Sequence, residues 1–566
     1  MPSFRSDFSN CLLGVILILG GFVLNGCGSS DSNSPPAPTA TPTAQTTVPQ
    51  TAQPTATNTL VSAATATISP TATHVIPPSA TSTTQATAIR TTAAPSATAT
   101  APPTLTPTLT ATLTLTPTVT ATPTITVDPT PTETGTATPI PTFAAHGSVE
   151  QIYVTDAEPD SALQLLDAKG QTVQSGTADA QGSFIFRHVP VSRGYVVTMT
   201  SGDTQLMSQP VAATDAHDPP DPSFYSNQSI TAGYQYLTTR DGTKLDIMVY
   251  LPGPVDQGPY ATVIDYSGYD DANPDGPTTD PVGVLFGTAA GYAVVAVNIR
   301  GTGCSGGAFD FFETLQCTDG YDVIETVAAQ PWVLHHKVGM VGLSYPGYSQ
   351  LFVAQYQPPS LAAIAPLSVT SGVANILYPG GIFNDGFALG WAQGRVQDSM
   401  VGGQPWSQKR LDAGDPVCIS NMKLRGQTPD LLAEIYSNTT VDPAIVDPLT
   451  PSTFVNRINV PVFLAGAWQD EQVGGYFANM LGNFTGTDKV HFTVVNGAHG
   501  DALDPTVFTR WLEFLSFYVR GEIPQLTTNE EIALQGYAGL YLGGRRVKIE
   551  PNRFTNAPSF EAALES

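Results

Sequence analysis

Four apolar runs limit what this chain can become: "GYAVVAVNIRGTG" (291–303), "VGMVGLS" (338–344), "VPVFLAGAWQD" (460–470) and "HFTVV" (491–495). They are continuous and rich in β-branched residues, the mark of strands buried on both faces. Between the first two lies "DGYDVIETVAAQ" (319–330), with apolar residues at helical spacing. Buried strands alternating with helices predict a parallel-rich sheet, an α/β domain. "KLDIMVYLP" and "YATVIDYSGY" add earlier strands from about residue 223 onward. Between about 375 and 457 strand signals vanish, and segments such as "NDGFALGWAQGRVQ" read as helical. That insertion is long enough to form a helical cap over the carboxyl edge of the sheet, where α/β folds bind ligands.

The first part of the chain reads differently. Arg5 precedes the apolar run "CLLGVILILGGFVL" (11–24), too short to span a bilayer comfortably and suited to a signal-peptide core. It ends in "LNGC", which resembles a bacterial lipobox with Cys27 as the lipid-attachment residue. Residues 1–27 are thus expected to export the protein to the bacterial cell surface and anchor it by lipid. Residues 28–146 are almost all Ser, Thr, Pro and Ala and cannot bury a core, so a disordered stalk is expected. As a coil of about 115 residues it would span on the order of 60 Å. Residues 147–222 alternate apolar and polar positions in short runs with Gly-containing turns, predicting a small all-β sandwich with a structural or docking role. The formal net charge is −25, which argues against a nucleic-acid partner. Nothing in the sequence indicates oligomeric state.

The chemistry is expected at the exits of the buried strands. Ser344 follows "VGMVGL" and sits in G-x-S-x-x-G, between Gly342 and Gly347. A strand, a tight Gly-flanked turn and a helix make the nucleophile elbow of an α/β-hydrolase. A serine needs a base, and in this fold the order is Ser, acid, His. His499 in "NGAHGD" follows a strand end and is the expected base, while His491 reads as a packed strand residue. Asp470, just past "VPVFLAGAWQ", is the expected acid, with Glu471 as alternate and Asp501 as a solvated loop charge. The backbone N–H of Tyr345 and the hydroxyl of Tyr269 are the expected oxyanion donors. Among the cysteines, Cys304 and Cys317 are close in sequence and are expected to pair, leaving Cys418 free. No spacing suggests a metal site, and no cofactor is expected.

The set "NIRGTGCSGG", "DGYDVIETVAAQPW", "GLSYPG", "AGAWQD" and "NGAHG" resembles the CocE/NonD hydrolases, relatives of cocaine esterase and the X-Pro dipeptidyl-peptidases. The resemblance covers roughly 230–530 within an expected catalytic domain of 223–540. It implies a serine α/β-hydrolase with a helical cap, acting through an acyl-enzyme on small esters or short peptides. Carried onto this sequence, it matches Ser344 to the nucleophile, Asp470 to the acid and His499 to the base. Tyr269 resembles the family's oxyanion tyrosine, although Gly268 stands where a proline is usual. Arg300 matches a loop arginine taken as structural. The family usually continues into a jelly-roll domain, and the tail 541–566 reads as an approach to it. Esterase action is favoured, with X-Pro dipeptidyl-peptidase as alternative. A dipeptidase would anchor a substrate amine on cap carboxylates, for which Asp385, Asp398, Asp412, Asp415, Asp430 and Glu434 are available. A non-catalytic surface binding protein on a hydrolase scaffold is the reading from another class.

Overall fold

The computed structural model describes residues 143–438, 440–541 and 553–566. The signal segment, Cys27 and the Thr/Pro-rich tract lie outside the described residues.

Residues 143–213 fold as two antiparallel sheets. One holds β1 (Ala144–Gly147), β2 (Ile152–Thr155) and β5 (Phe184–Phe186). The other holds β4 (Thr172–Thr177), β3 (Ala162–Leu166), β6 (Ser192–Ser201) and β7 (Thr204–Met207), with β8 (Val211–Ala213) paired to β6. Strand alternation sends Ile152, Val154, Leu163, Leu165, Val197 and Met199 into one shared core.

The larger sheet is eight-stranded among the described residues, in the order β16-β15-β14-β13-β11-β12-β10-β9. Its members are β9 (Gly233–Thr238), β10 (Lys244–Tyr250), β11 (Tyr260–Ser267), β12 (Ala293–Asn298), β13 (Val333–Leu343), β14 (Leu361–Leu367), β15 (Val462–Ala467) and β16 (Val490–Val495). From β12 to β16 every pairing is parallel, while β10 runs antiparallel to β12 and β9. This is the α/β-hydrolase sheet. Period-2 alternation divides each central strand between two cores. Ile264, Val295, Met340 and Ile364 face one. Their neighbours Val263, Val294, Val341 and Ala365 face the other. Both faces are therefore apolar, which is why these strands read as unbroken hydrophobic runs.

Between β14 and β15 the chain forms short helices, including Phe387–Asp398, Pro405–Asp412, Pro416–Asn421 and Leu431–Ser437. Asp415 and Asp430 cap two of them, their carboxylates accepting from Val417 N and Cys418 N and from Ala433 N.

Buried ion pairs hold these parts together. Arg300, at the end of β12, donates to Asp319 on the helix Thr314–Ala328 at 2.8 Å and lies 3.0 Å from Asp241. Asp241 also accepts from Ser148 Oγ of the β module at 2.6 Å. Arg300 is thus structural, and its guanidinium is buried only because two carboxylates neutralise it. A separate pair, Arg240 with Asp322 at 2.8 Å, pins the β9–β10 turn to the same helix.

The expected Cys304–Cys317 bridge is corrected. The disulfide joins Cys304 to Cys418, and Cys317 is a buried free thiol. Cys317 lies within the helix Thr314–Ala328, its thiol directed at Glu313 O, and packs in the main core. Cys304 instead faces the insertion, in a cluster with Trp406, Cys418 and Met422. Nearness in sequence was no guide, because the helix turned one thiol away.

The bridge closes a sequence separation of 114 residues. Replacing both cysteines by serine is expected to lower unfolding free energy by roughly 2–5 kcal/mol. Chemical denaturation of the oxidised protein and the variant checks this.

Candidate active site

The elbow is a steric construction. Ser344 directly follows β13 with φ 65° and ψ −119°, a left-handed conformation that side-chain-bearing residues avoid. The helix Tyr345–Ala354 follows at once. A Cβ on Gly342 would come 2.5 Å from Pro346 Cβ, and one on Gly347 would come 2.7 Å from Leu367 O. Both glycines of G-x-S-x-x-G are therefore required by close approach, including the second, one residue later than in the stricter motif. Ser344 N–H donates to Leu367 O at 2.8 Å, fixing the elbow to the end of β14.

The same strand end holds His499. Ser368 Oγ donates to His499 O at 2.7 Å. His499 N–H donates to Glu471 Oε2 at 2.9 Å. Its Nδ1 lies 2.7 Å from Asp470 Oδ2. Asp470 Oδ1 in turn accepts from the backbone N–H groups of Gln472 and Val473 at 2.9 and 2.8 Å. The ring is thereby held so that Nδ1 carries its proton toward the carboxylate and Nε2 presents a lone pair. Nε2 is buried and has no hydrogen-bond partner among the described residues. His499 is 5% exposed and Asp470 7%. Asp501 does more than the solvated loop charge expected of it. Its Oδ2 accepts from Ala498 N–H at 2.8 Å and closes the turn that carries His499.

Tyr269 lies beside Ser344, close enough for the two side chains to interact. Trp391 Nε1, from the insertion, donates to that hydroxyl at 3.0 Å, which leaves the phenol proton free to be donated onward. Burial raises the phenol above its ordinary range, so it stays protonated. The Arg395 guanidinium stacks 4.5 Å over the ring and opposes part of that rise. Tyr345, the first helical residue, carries an N–H that a helix leaves without an internal partner. Gly268 now has a reason of its own. A Cβ there would fall 2.8 Å from the Tyr345 ring, which packs edge-on against Tyr269 with centroids 5.3 Å apart.

A cavity of about 410 Å³ opens over Ser344. Its walls are mostly apolar, with Tyr348, Val373, Leu377, Phe387 and Trp391 prominent. Of the six carboxylates proposed in the insertion, it takes in Glu434, joined by Asp310, Glu313 and Asp442. Of the others, Asp398 pairs with Arg395 at 2.8 Å and Asp415 with Arg410. Burial, with Asp310 beside it, pushes Glu313 up to about 8, against the opposing pull of Arg187.

Sequence reasoning missed Glu471 as the holder of the His499 backbone, Trp391 as the partner of Tyr269, and Asp280. The Asp280 carboxyl is wholly buried and unpartnered among the described residues, and close enough to His499 for their charges to interact. Burial raises it to about 7. Between the ordinary carboxylate range and that value, the folded chain holds a proton that the unfolded chain has lost. This group's contribution to stability therefore falls as pH rises across that window and levels off above it. Asp280→Asn is expected to match wild type in thermal stability near pH 4. It should gain on wild type by at most about 1.4 kcal/mol per pH unit up to about pH 7, with no further gain above. Thermal melts from pH 4 to 8 check this.

With this geometry in hand, comparison with known proteins is informative. Residues 241–501 match the family model described as X-Pro dipeptidyl-peptidase (S15 family). Ser344, Asp470, His499 and Tyr269 all fall within the match. A protein of Mycobacterium bovis provisionally named a serine esterase is 28% identical over 185 residues, 29% of this chain and 28% of that one. The chain thus spans little more than a quarter of that relative. Among solved structures, a CocE/NonD family hydrolase from Staphylococcus aureus shares 19% identity over 52% of this chain and 55% of that one, with a TM-score of 0.39. An α-amino acid ester hydrolase shares 16% identity over 53% and 57%, with a TM-score of 0.39. Over residues 241–501 this chain is thus similar to the X-Pro dipeptidyl-peptidase (S15) family, in keeping with the resemblance its motifs carry.

Proposed function

We propose that this protein is an exported, lipid-anchored serine hydrolase that cleaves acyl esters through a covalent acyl-enzyme. The observation that carries the reading is His499. Its Nδ1, N–H and carbonyl oxygen are all engaged, while its buried Nε2 alone stays free. A ring fixed in this way is of little use to a binding module and is what a general base requires.

In this reading Ser344 Oγ attacks the substrate carbonyl carbon as its proton passes to His499 Nε2. The Tyr345 N–H and the Tyr269 O–H donate to the oxyanion, and Asp470 stabilises the imidazolium. Collapse of the intermediate breaks the ester bond, and His499 returns the proton to the departing alkoxide. Water, deprotonated by His499, then attacks the acyl-serine and releases the acid. The helices of the insertion act as a cap, since Trp391 from that segment both lines the cavity and holds Tyr269. Export is supported by the N-terminal apolar run and by a disulfide within the folded part, a bond suited to oxidising compartments.

A second reading, dipeptidyl-peptidase action, is favoured by one specific feature. Asp310, Glu313 and Glu434 converge on the cavity that contains Ser344, where they would receive a substrate ammonium.

The full chain assayed on p-nitrophenyl acetate and butyrate beside Ala-Pro-p-nitroanilide separates the two. Turnover of the esters alone is expected, and turnover of the anilide promotes the peptidase. Ser344→Ala should abolish either activity. Asp470→Asn should lower kcat by about 10⁴-fold, because the ring loses its orienting carboxylate.

A further inference from the structure

The cavity over Ser344 has one wall that the hydrolase fold does not supply. His188, in the turn between β5 and β6 of the N-terminal β module, lines it. The family match begins at residue 241, so this wall comes from a segment outside it. His188 is exposed and has φ 53°, a left-handed conformation uncommon for a side-chain-bearing residue.

The turn is held rigidly. Arg187 Nη2 donates to Gln427 O at 2.8 Å, and Gln427 Nε2 donates back to Asp179 Oδ2 at 2.6 Å. Arg187 Nη1 lies 3.8 Å from Glu313. Tyr153 and Ile185 of the module pack with Ala308 and Leu424. The module, the loop 308–313 and the insertion therefore meet at the mouth of the cavity.

Behind His188 lies a second cavity of about 470 Å³, with Arg187, Gln151 and Arg457 in its walls. The two cavities share His188, Asp310, Phe312, Glu313, Pro448 and Leu449 as lining. His188 thus borders both an apolar chamber that holds Ser344 and a more polar chamber walled in part by the module.

We propose that His188 is a specificity-determining residue, closing the Ser344 chamber so that it accepts short apolar groups and rejects longer ones. This rests on the hydrolase reading above. Removing the imidazole joins the chambers and gives a longer substrate a place for its distal end. A bulkier ring narrows the chamber further.

The test uses the full chain as wild type, His188→Ala and His188→Trp. Two substrate series are needed, because the chamber could receive either side of the scissile bond. One is p-nitrophenyl esters from acetate to decanoate, the other acetate esters of butyl to decyl alcohols. The readout is the ratio of kcat/KM for long over short members. His188→Ala is expected to raise that ratio by about tenfold or more in one series, mainly through KM, and His188→Trp to lower it. Ser148→Ala, which loosens the module at Asp241 without itself lining either cavity, controls for general disturbance and should leave the ratio unchanged. An active wild type whose ratio stays the same in both His188 variants overturns the inference alone. So does a shift that Ser148→Ala reproduces. A wild type inactive on every ester overturns the hydrolase reading and this inference with it.

Discussion

Everything at this site depends on a place where two strand ends and a helix come closer than side chains allow. Ser344 is held at φ 65° because Gly342 and Gly347 leave room for Pro346 and for the Leu367 carbonyl. The resulting strain of about 1–3 kcal/mol is the sort that persists only where surrounding structure over-determines it. Here the surroundings are β13 and β14, both wholly buried at their carboxyl ends. The end of β14 then does double duty. Leu367 O takes the Ser344 N–H, and Ser368 Oγ takes hold of the His499 carbonyl. Ser344 and His499 are thus registered on one strand.

Around that centre the parts are joined by charge and by sulfur as well as by apolar contact. Arg300 links the end of β12 to the helix Thr314–Ala328 and, through Asp241 and Ser148, to the β module. The Cys304–Cys418 bond ties the neighbouring loop to the insertion. These links place three segments, far apart in sequence, around one cavity. Buried carboxylates are the cost of this arrangement, with Asp246, Asp280 and Glu313 all pushed up toward or past neutrality by burial.

What the sequence disclosed was local. Unbroken β-branched runs announced strands buried on both faces, and alternation announced the module's sandwich. The triad candidates were legible because the fold puts them just after strand ends, where "GLS", "AWQD" and "GAHG" stand. What stayed hidden depended on partners distant in sequence. Cys304 lay 13 positions from Cys317 but bonded 114 positions away, since a helix carried the nearer thiol into the core. Trp391 could not be linked to Tyr269, nor Glu471 to the His499 backbone, without the folded path between them. His188 sat in a turn with no motif, and only its backbone and its cavity mark it. Asp280 stands in no motif, and burial leaves no trace in a local pattern.

The central claim is that Ser344 is a nucleophile activated by His499. The most direct measurement is intact-mass and peptide-mapping analysis of the folded full chain after reaction with a fluorophosphonate, beside His499→Gln. The account predicts one covalent adduct per chain, located on Ser344, with labelling slowed by several orders of magnitude in the variant. No adduct on folded protein, an adduct on another residue, or equal labelling of the variant would contradict it.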